Sequence, residues 1–283
     1  MPTRLTEQEV AAYRRDGILF PIRVFPEAEM ASYRGQLAEL EAHDGGTLSR
    51  RTNQKPHLLV PWLADLVRHP AVLDAVEDVL GPDILCWGSG FFNKRPGDGT
   101  FVSWHQDATY WGLSESDVLT AWIAFSPSTP ANGCMRVIPR THESDQLPHA
   151  DTFATDNLLS RGQEIAVKVD EDAAVDVVLA PGEMSLHHVK IVHGSERNDS
   201  DGPRIGYAVR YIPTRIRQLS GIRDSASLVR GTDRFGNFDH EPVPQAAFHP
   251  DAVAYHAAMI ERQVAILYAG AEQQPTYAKA AGM

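Results

Sequence analysis

Hydrophobic positions recur at helical spacing in the first third of the chain and at strand spacing after it. Thr6-Glu7-Gln8-Glu9 has the form of a capping box, so a helix is predicted from there to about Arg15, ending near Gly17. Ile18 to Ile22 is expected to be a short strand, and Pro26 to about Ala42 a second helix with Met30, Tyr33, Leu37 and Leu40 on one face. Gly45 to His57 is polar and basic and reads as a loop near a pocket mouth. Trp62 to Leu80 is predicted helical, restarted at Pro70 and ended by Gly81-Pro82.

From Ile84 the period shortens to two. Ile84 to Trp87, Phe91 to Lys94, a segment around Val102 to Asp107, Val118 to Phe125 and Met135 to Pro139 are expected to be strands. Ile165 to Val169, Ala174 to Leu179, Met184 to His193 and Arg204 to Ile212 follow. Pro148 to Gln163 lacks periodicity and is read as a lid or surface excursion. The stretch from Pro250 to about Ala269 is predicted to be a helix on the outside. Strands spaced by turns in this way predict an antiparallel double sheet or barrel with flanking helices.

Charge and composition narrow the function. With 26 Lys and Arg against 37 Asp and Glu, the net charge is −11, which argues against nucleic acid and anionic membranes as partners. An anionic small substrate stays possible, because a basic pocket can exist on an acidic protein. Two cysteines, Cys86 and Cys134, do not make a disulfide scaffold, and the N-terminus shows no apolar leader, so a cytoplasmic location is expected. Oligomeric state is not legible.

The candidate chemistry begins at Trp104-His105-Gln106-Asp107. On a strand, positions i and i+2 share a face, so His105 and Asp107 can hold one metal ion. The same H-x-D spacing recurs at His149/Asp151, in a polar run without strand pattern, and at His249/Asp251, where Pro250 marks a helix start. Only the first copy lies in a strand-like segment. Two His and one carboxylate with open positions is the ligand set of non-heme Fe(II) oxygenases. A third ligand is sought among His187, His188 and His193. On one continuous strand His187 and His193 lie about 20 Å apart and cannot share an ion. His193, followed by Gly194-Ser195 and a turn-rich stretch, stands at the strand end where sites usually sit.

Several segments, in order, resemble the phytanoyl-CoA dioxygenase family of Fe(II)- and 2-oxoglutarate-dependent oxygenases. They are Leu5-Thr6-Glu7 through Asp16-Gly17, Asn93-Lys94-Arg95-Pro96-Gly97, Trp104 to Asp107, Leu119 to Ala124, Asn132 to Pro139 with Thr141-His142, and Val192-His193-Gly194-Ser195 with Arg204. The resemblance implies a double-stranded β-helix (jelly-roll, cupin-like) core. The chain is read as one domain over 1–283, with N-terminal helices over about 5–80, the core over about 84–213 and a C-terminal region with a terminal helix over about 214–283, to which the resemblance does not extend. The resemblance implies His105, Asp107 and His193 as iron ligands, with 2-oxoglutarate and O2 as co-substrates. It further implies Arg204 on the distal carboxylate of 2-oxoglutarate, with Ser195 and Trp122 lining that pocket and Gln106 near it. Arg140 departs from the family pattern, which has Gly there. Related halogenases carry Gly or Ala where this chain has Asp107, so oxygen addition is favoured over halogenation. The substrate is read as a small molecule, a natural product by preference. Tyr110, Trp111, Arg136, Arg140 and Arg210 are the candidates for its pocket. A non-oxidative metal enzyme or a non-catalytic binding protein on the same fold are the competing readings.

Arg204 and Arg210 compete for the co-substrate. Both fall on the even face of their strand, with Gly206 and Ala208 between them, while Ile205, Tyr207 and Val209 form an apolar odd face. If the strands carrying His193 and Arg204 pair as a hairpin, Ser195 lies opposite Arg204 and His193 opposite Gly206. Arg204 then enters the iron pocket, and Arg210 lies roughly 13 Å or more beyond Gly206, with a role in substrate binding or stability.

Overall fold

A computed structural model describes residues 4–273 and 275. The N-terminal part runs α1 (Glu7–Asp16), β1 (Ile18–Arg23), α2 (Glu27–His43), α3 (Arg50–Asn53), α4 (Pro61–Leu66) and α5 (Pro70–Leu80). The strand-rich part follows: β2 (Ile84–Lys94), β3 (Val102–His105), β4 (Leu119–Ala124), β5 (Met135–Ile138), β6 (His149–Ala150), β7 (Glu164–Ile165), β8 (Val175–Val177), β9 (Glu183–His188), β10 (Val192–Ser195) and β11 (Arg204–Pro213). The chain closes with β12 (Ser225–Arg230), β13 (Asp239–His240) and α6 (Pro250–Leu267).

The N-terminal elements form for local reasons. Thr6 accepts from the Glu9 backbone, the Glu9 side chain accepts from the Thr6 N–H, and Gly17 ends α1 in the left-handed conformation at φ 75°. Pro70 opens α5 at a position whose N–H needs no partner.

The strands form two large sheets. The major sheet has the order β1-β9-β4-β11-β2-β12-β13, and the minor one β3-β10-β5-β8. Neighbours pair antiparallel except β12 and β13. This is the double-stranded β-helix expected. Alternation along each central strand sorts the side chains. On β4, Leu119, Ala121 and Ile123 join Tyr207, Val209 and Tyr211 of β11 in a core shared with α2, α4 and α5. The apolar odd face of β11 therefore packs on helices. On the other face, Trp122 and Ala124 meet Met135, Val137 and Val177 of the minor sheet. At roughly 25 cal/mol per Å² of apolar surface, these two layers supply the main cohesion.

Four local expectations fail. Ile84 to Lys94 is one strand, carried through Gly88-Ser89-Gly90 rather than broken there. Val167 to Val169 is not strand; β7 ends at Ile165. Asp107 does not lie on the strand of His105: β3 ends at His105, and Asp107 opens a short 3-10 turn to Tyr110. Met184 to His193 is two strands in different sheets. A tight turn, closed by Ile191 N–H donating to the His188 carbonyl at 3.0 Å, carries the chain from β9 to β10. No helix among the described residues is long and apolar enough to cross a membrane. The ends of the 1–283 domain span, 1–3 and 276–283, lie outside the described residues.

Candidate metal centre and its two cavities

The break between β9 and β10 builds the centre. β10 turns back beside β3 so that His193 pairs directly with His105. Their rings lie 4.1 Å apart, and His105 Nε2 is 3.3 Å from Asp107 Oδ1. The ligand atoms of His105, Asp107 and His193 lie within 4.8 Å of one another. Each imidazole is oriented from behind: Nδ1 of His105 contacts the Ser103 carbonyl at 2.9 Å, and Nδ1 of His193 the Ile191 carbonyl at 3.0 Å. A carbonyl can only accept, so both Nδ1 atoms carry hydrogen and both Nε2 lone pairs face the site, the arrangement a divalent metal needs. Burial holds His193 well below the usual imidazole range, hence neutral. Burial raises the Asp107 carboxyl, but the His105 and His193 imidazoles in contact with it and the nearby Arg210 guanidinium hold it below the usual carboxylate range, so it stays ionised. The donor set fits a metal that takes two imidazoles and one carboxylate.

The same fold change brings His187 beside the centre. Its ring lies 5.0 Å from that of His193, not 20 Å away, because the two stand on different sheets. Burial pushes its pKa down to about 4, and its buried Nδ1 has no partner among the described residues.

A narrow pocket of about 40 Å³ extends from the three ligands along the inner faces of β4 and β11, lined by Trp122, Ser195, Arg204 and Arg210 among others. Arg204 is buried at its end, donating to the carbonyls of Gly133 at 2.7 Å and Phe92 at 3.3 Å, with its guanidinium 5.4 Å from the Trp122 ring. Its Nε is buried without an acceptor. Gly206 makes this packing possible, since a Cβ there would sit 1.8 Å from the Trp122 ring.

Ser195 reaches the pocket by another route than predicted. β10 does not pair with β11 at all; it pairs with β3 and β5, while β11 lies between β2 and β4. Ser195 and Arg204 therefore approach from opposite sheets. The residue across from Arg204 is Lys94. Its Nζ donates to Ser195 Oγ at 2.6 Å and to the Ser195 carbonyl at 3.1 Å. Burial and the neighbouring Arg204 push the Lys94 pKa down to about 6. Lys94 was not singled out from sequence as a site residue; a lysine ending a long apolar strand was the available signal.

Gln106 is turned away from this pocket. Its Nε2 donates to the Lys190 carbonyl at 2.8 Å and its Oε1 accepts from the Leu147 N–H at 2.8 Å. It braces the 146–149 loop against the turn before β10. His149 joins that brace by accepting from the Gln106 N–H at 3.0 Å, and Asp151 pairs with Arg161. His249 caps α6, as its Pro250 implies.

A larger cavity of about 470 Å³ opens from Asp107 outward. Of the five substrate candidates, Trp111 and Arg210 line it. Tyr110 instead donates to Asp151 at 2.7 Å beneath the Arg161 guanidinium. Arg136 lies over Trp104 and faces Glu171, Asp176 and Glu196 at the surface. Arg140 is 65% exposed beside Asp16, with φ 70° at the position where the family pattern has glycine. The 45–57 segment forms part of the cavity wall through Arg50, Asn53, Gln54 and Lys55, and the 158–163 segment forms another part. The terminal helix is not merely external, since Gln263 and Leu267 also line the cavity. Nothing in the sequence pattern of α6 signals that role.

Fold and centre together define a double-stranded β-helix protein with a two-His, one-carboxylate site. The profile of the phytanoyl-CoA dioxygenase (PhyH) family matches residues 13–206, and the chain belongs to that family. Human peroxisomal phytanoyl-CoA dioxygenase is 26% identical over 223 residues, covering 71% of this chain and 66% of that protein. A probable alpha-ketoglutarate-dependent hypophosphite dioxygenase of Stutzerimonas stutzeri is 31% identical over 184 residues, covering 60% of this chain and 61% of that protein. The matched stretch thus spans less than two thirds of either relative. Among solved structures, the apo form of the non-heme monooxygenase ThoJ superposes with a TM-score of 0.79 at 36% identity, over 90% of this chain and 95% of that one.

Proposed function

We propose that the protein is an Fe(II)- and 2-oxoglutarate-dependent dioxygenase, working as one domain, that adds oxygen to a small molecule with release of succinate and CO2. The observation that carries this reading is the placement of His105, Asp107 and His193 at one end of a narrow pocket whose other end is the buried, incompletely paired Arg204. The two Nε2 atoms and the Asp107 carboxylate would hold the metal. The bound metal and co-substrate supply the activation of O2 and the oxidation of a substrate C–H bond. The chain's own residues bind and orient. Arg204 suits a carboxylate because its planar fork donates parallel hydrogen bonds. Ser195 and Trp122 flank that carboxylate, and Lys94 fixes Ser195 from behind. The wider cavity beyond Asp107 receives the primary substrate, and a volume of about 470 Å³ suits a molecule well above amino-acid size. Asp107 fills the ligand position that a halide would need, so oxygen addition is the expected outcome.

The test is direct. Purified protein with Fe(II), O2 and 2-oxoglutarate should form succinate slowly without substrate, and His193→Ala should not. Equal succinate from both proteins would sink the assignment.

A further inference from the structure

Arg210 stands where the two cavities meet and lines both. Among the described residues it has no hydrogen-bond or ion-pair partner, and its Nε is buried without an acceptor. Its guanidinium is held instead by aromatic rings, 5.5 Å from the Phe92 centroid and 5.9 Å from that of Trp111. Across the β2–β11 ladder it faces Gly88, which has no side chain to cover it. Asp107 is close enough to feel the charge but makes its short contact, 3.3 Å, with His105. Arg210 as a whole is half-buried, but holding its Nε buried without a partner is costly. Arg204, six positions earlier on the same face, already spends two donors on backbone carbonyls and closes the narrow pocket. Arg210 spends none and opens on the wide cavity.

We infer that Arg210 binds an oxyanion, a carboxylate in the simplest case, carried by the primary substrate, with the planar or apolar body of that substrate lying on Trp111, Trp87 and Phe92. The inference rests on the function proposed above and adds the substrate's chemical class. A bidentate anion on a guanidinium set near these two rings would fix the substrate's orientation toward the metal.

The test uses 2-naphthoate and its neutral isostere 2-naphthamide, titrated calorimetrically into the full-length protein. Titrations are run without air, both with and without Fe(II) and saturating 2-oxoglutarate. The acid should bind at least about tenfold more tightly than the amide, and Arg210→Met should abolish that preference. Equal affinities in the parent protein, no binding of the acid, or a preference that survives Arg210→Met would overturn the inference. Titrating 2-oxoglutarate separates the two possible anions. Arg210→Met should keep its affinity within about threefold while Arg204→Met loses at least about tenfold. Loss in Arg210→Met equal to that in Arg204→Met would make Arg210 a co-substrate residue and overturn the inference. A parent protein that never binds 2-oxoglutarate would instead sink the proposed function, while the acid-over-amide comparison still reads Arg210 alone. A fold role is excluded by melting: ligand-free Arg210→Met should melt at or above the parent temperature. A drop of more than about 5 °C would assign Arg210 to stability and defeat the inference.

Discussion

Two buried cationic regions lie on either side of β2, and they solve the same problem differently. Near β12, Lys55 Nζ donates to Glu241 Oε1 at 2.6 Å and to the Ser225 carbonyl at 2.8 Å. Ser225 and Ser227 also donate to Glu241, and His57 sits 3.4 Å from its second oxygen. Every charge is matched, and the Lys55 ammonium beside Glu241 holds its carboxyl down to about 2 despite burial. Near the metal centre, Arg204, Lys94 and Arg210 make no ion pair with a carboxylate among the described residues. The first region is complete in the free protein and ties residues 225–241 to the core. The second is left electrostatically open toward anions. On the proposed reading, matched burial marks the brace and unmatched burial the ligand site.

The sharpest way to break this contrast is to remove a metal ligand. His105→Ala, Asp107→Ala or His193→Ala should abolish 2-oxoglutarate turnover, at least about a thousandfold, with the fold intact by circular dichroism. Full iron loading in His193→Ala would reject its role. Next in size is the brace. Glu241→Leu should cost about 3–5 kcal/mol in urea unfolding, since it strands the Lys55 charge. Lys55→Met combined with Glu241→Leu should recover much of that loss. A double variant as unstable as the single one would show that the pair is not self-contained.

Smaller effects follow on the open side. Arg204→Met should weaken 2-oxoglutarate binding by about tenfold or more, while the Gly133 and Phe92 carbonyls it leaves without a donor should lower unfolding free energy by only about 1–3 kcal/mol. A large stability loss with unchanged affinity would reverse the distinction between brace and ligand site. The smallest effect is a pH slope. Burial pushes the His188 and His256 pKa values down to about 4, below the ordinary value near 6.5. The folded state therefore keeps them neutral while the unfolded state binds protons first. Their contribution is fully present above about pH 6.5 and is lost as the pH falls toward 4. Urea midpoints should decline across that window, and His256→Gln should flatten part of the slope. A flat profile would show that these rings are already protonated in the folded state.

Much of this was legible because it is local. Thr6 and Gly17 bound α1 by their own hydrogen-bonding and backbone preferences. The alternation on β11 states which face is apolar and buried and which carries Arg204 and Arg210. The resemblance carried by Trp104 to Asp107 and Val192 to Ser195 pointed to the three residues that the fold then gathers.

What the tertiary structure decided is where the chain changes sheet and which strands become neighbours. The turn at Val189-Lys190-Ile191 contains no Gly or Pro, so periodicity runs straight through it. Yet that turn sends β10 to the minor sheet, sets His193 against His105, brings His187 to 5.0 Å and takes Ser195 away from β11. Likewise, local pattern does not show that Lys94 lies across from Arg204, that Gln106 faces a neighbouring loop, or that α6 lines the cavity. Each depends on contacts between residues tens to hundreds of positions apart. Side-chain periodicity reports only the two faces of a segment, whereas the partner each face meets is set by how all the apolar faces are buried together.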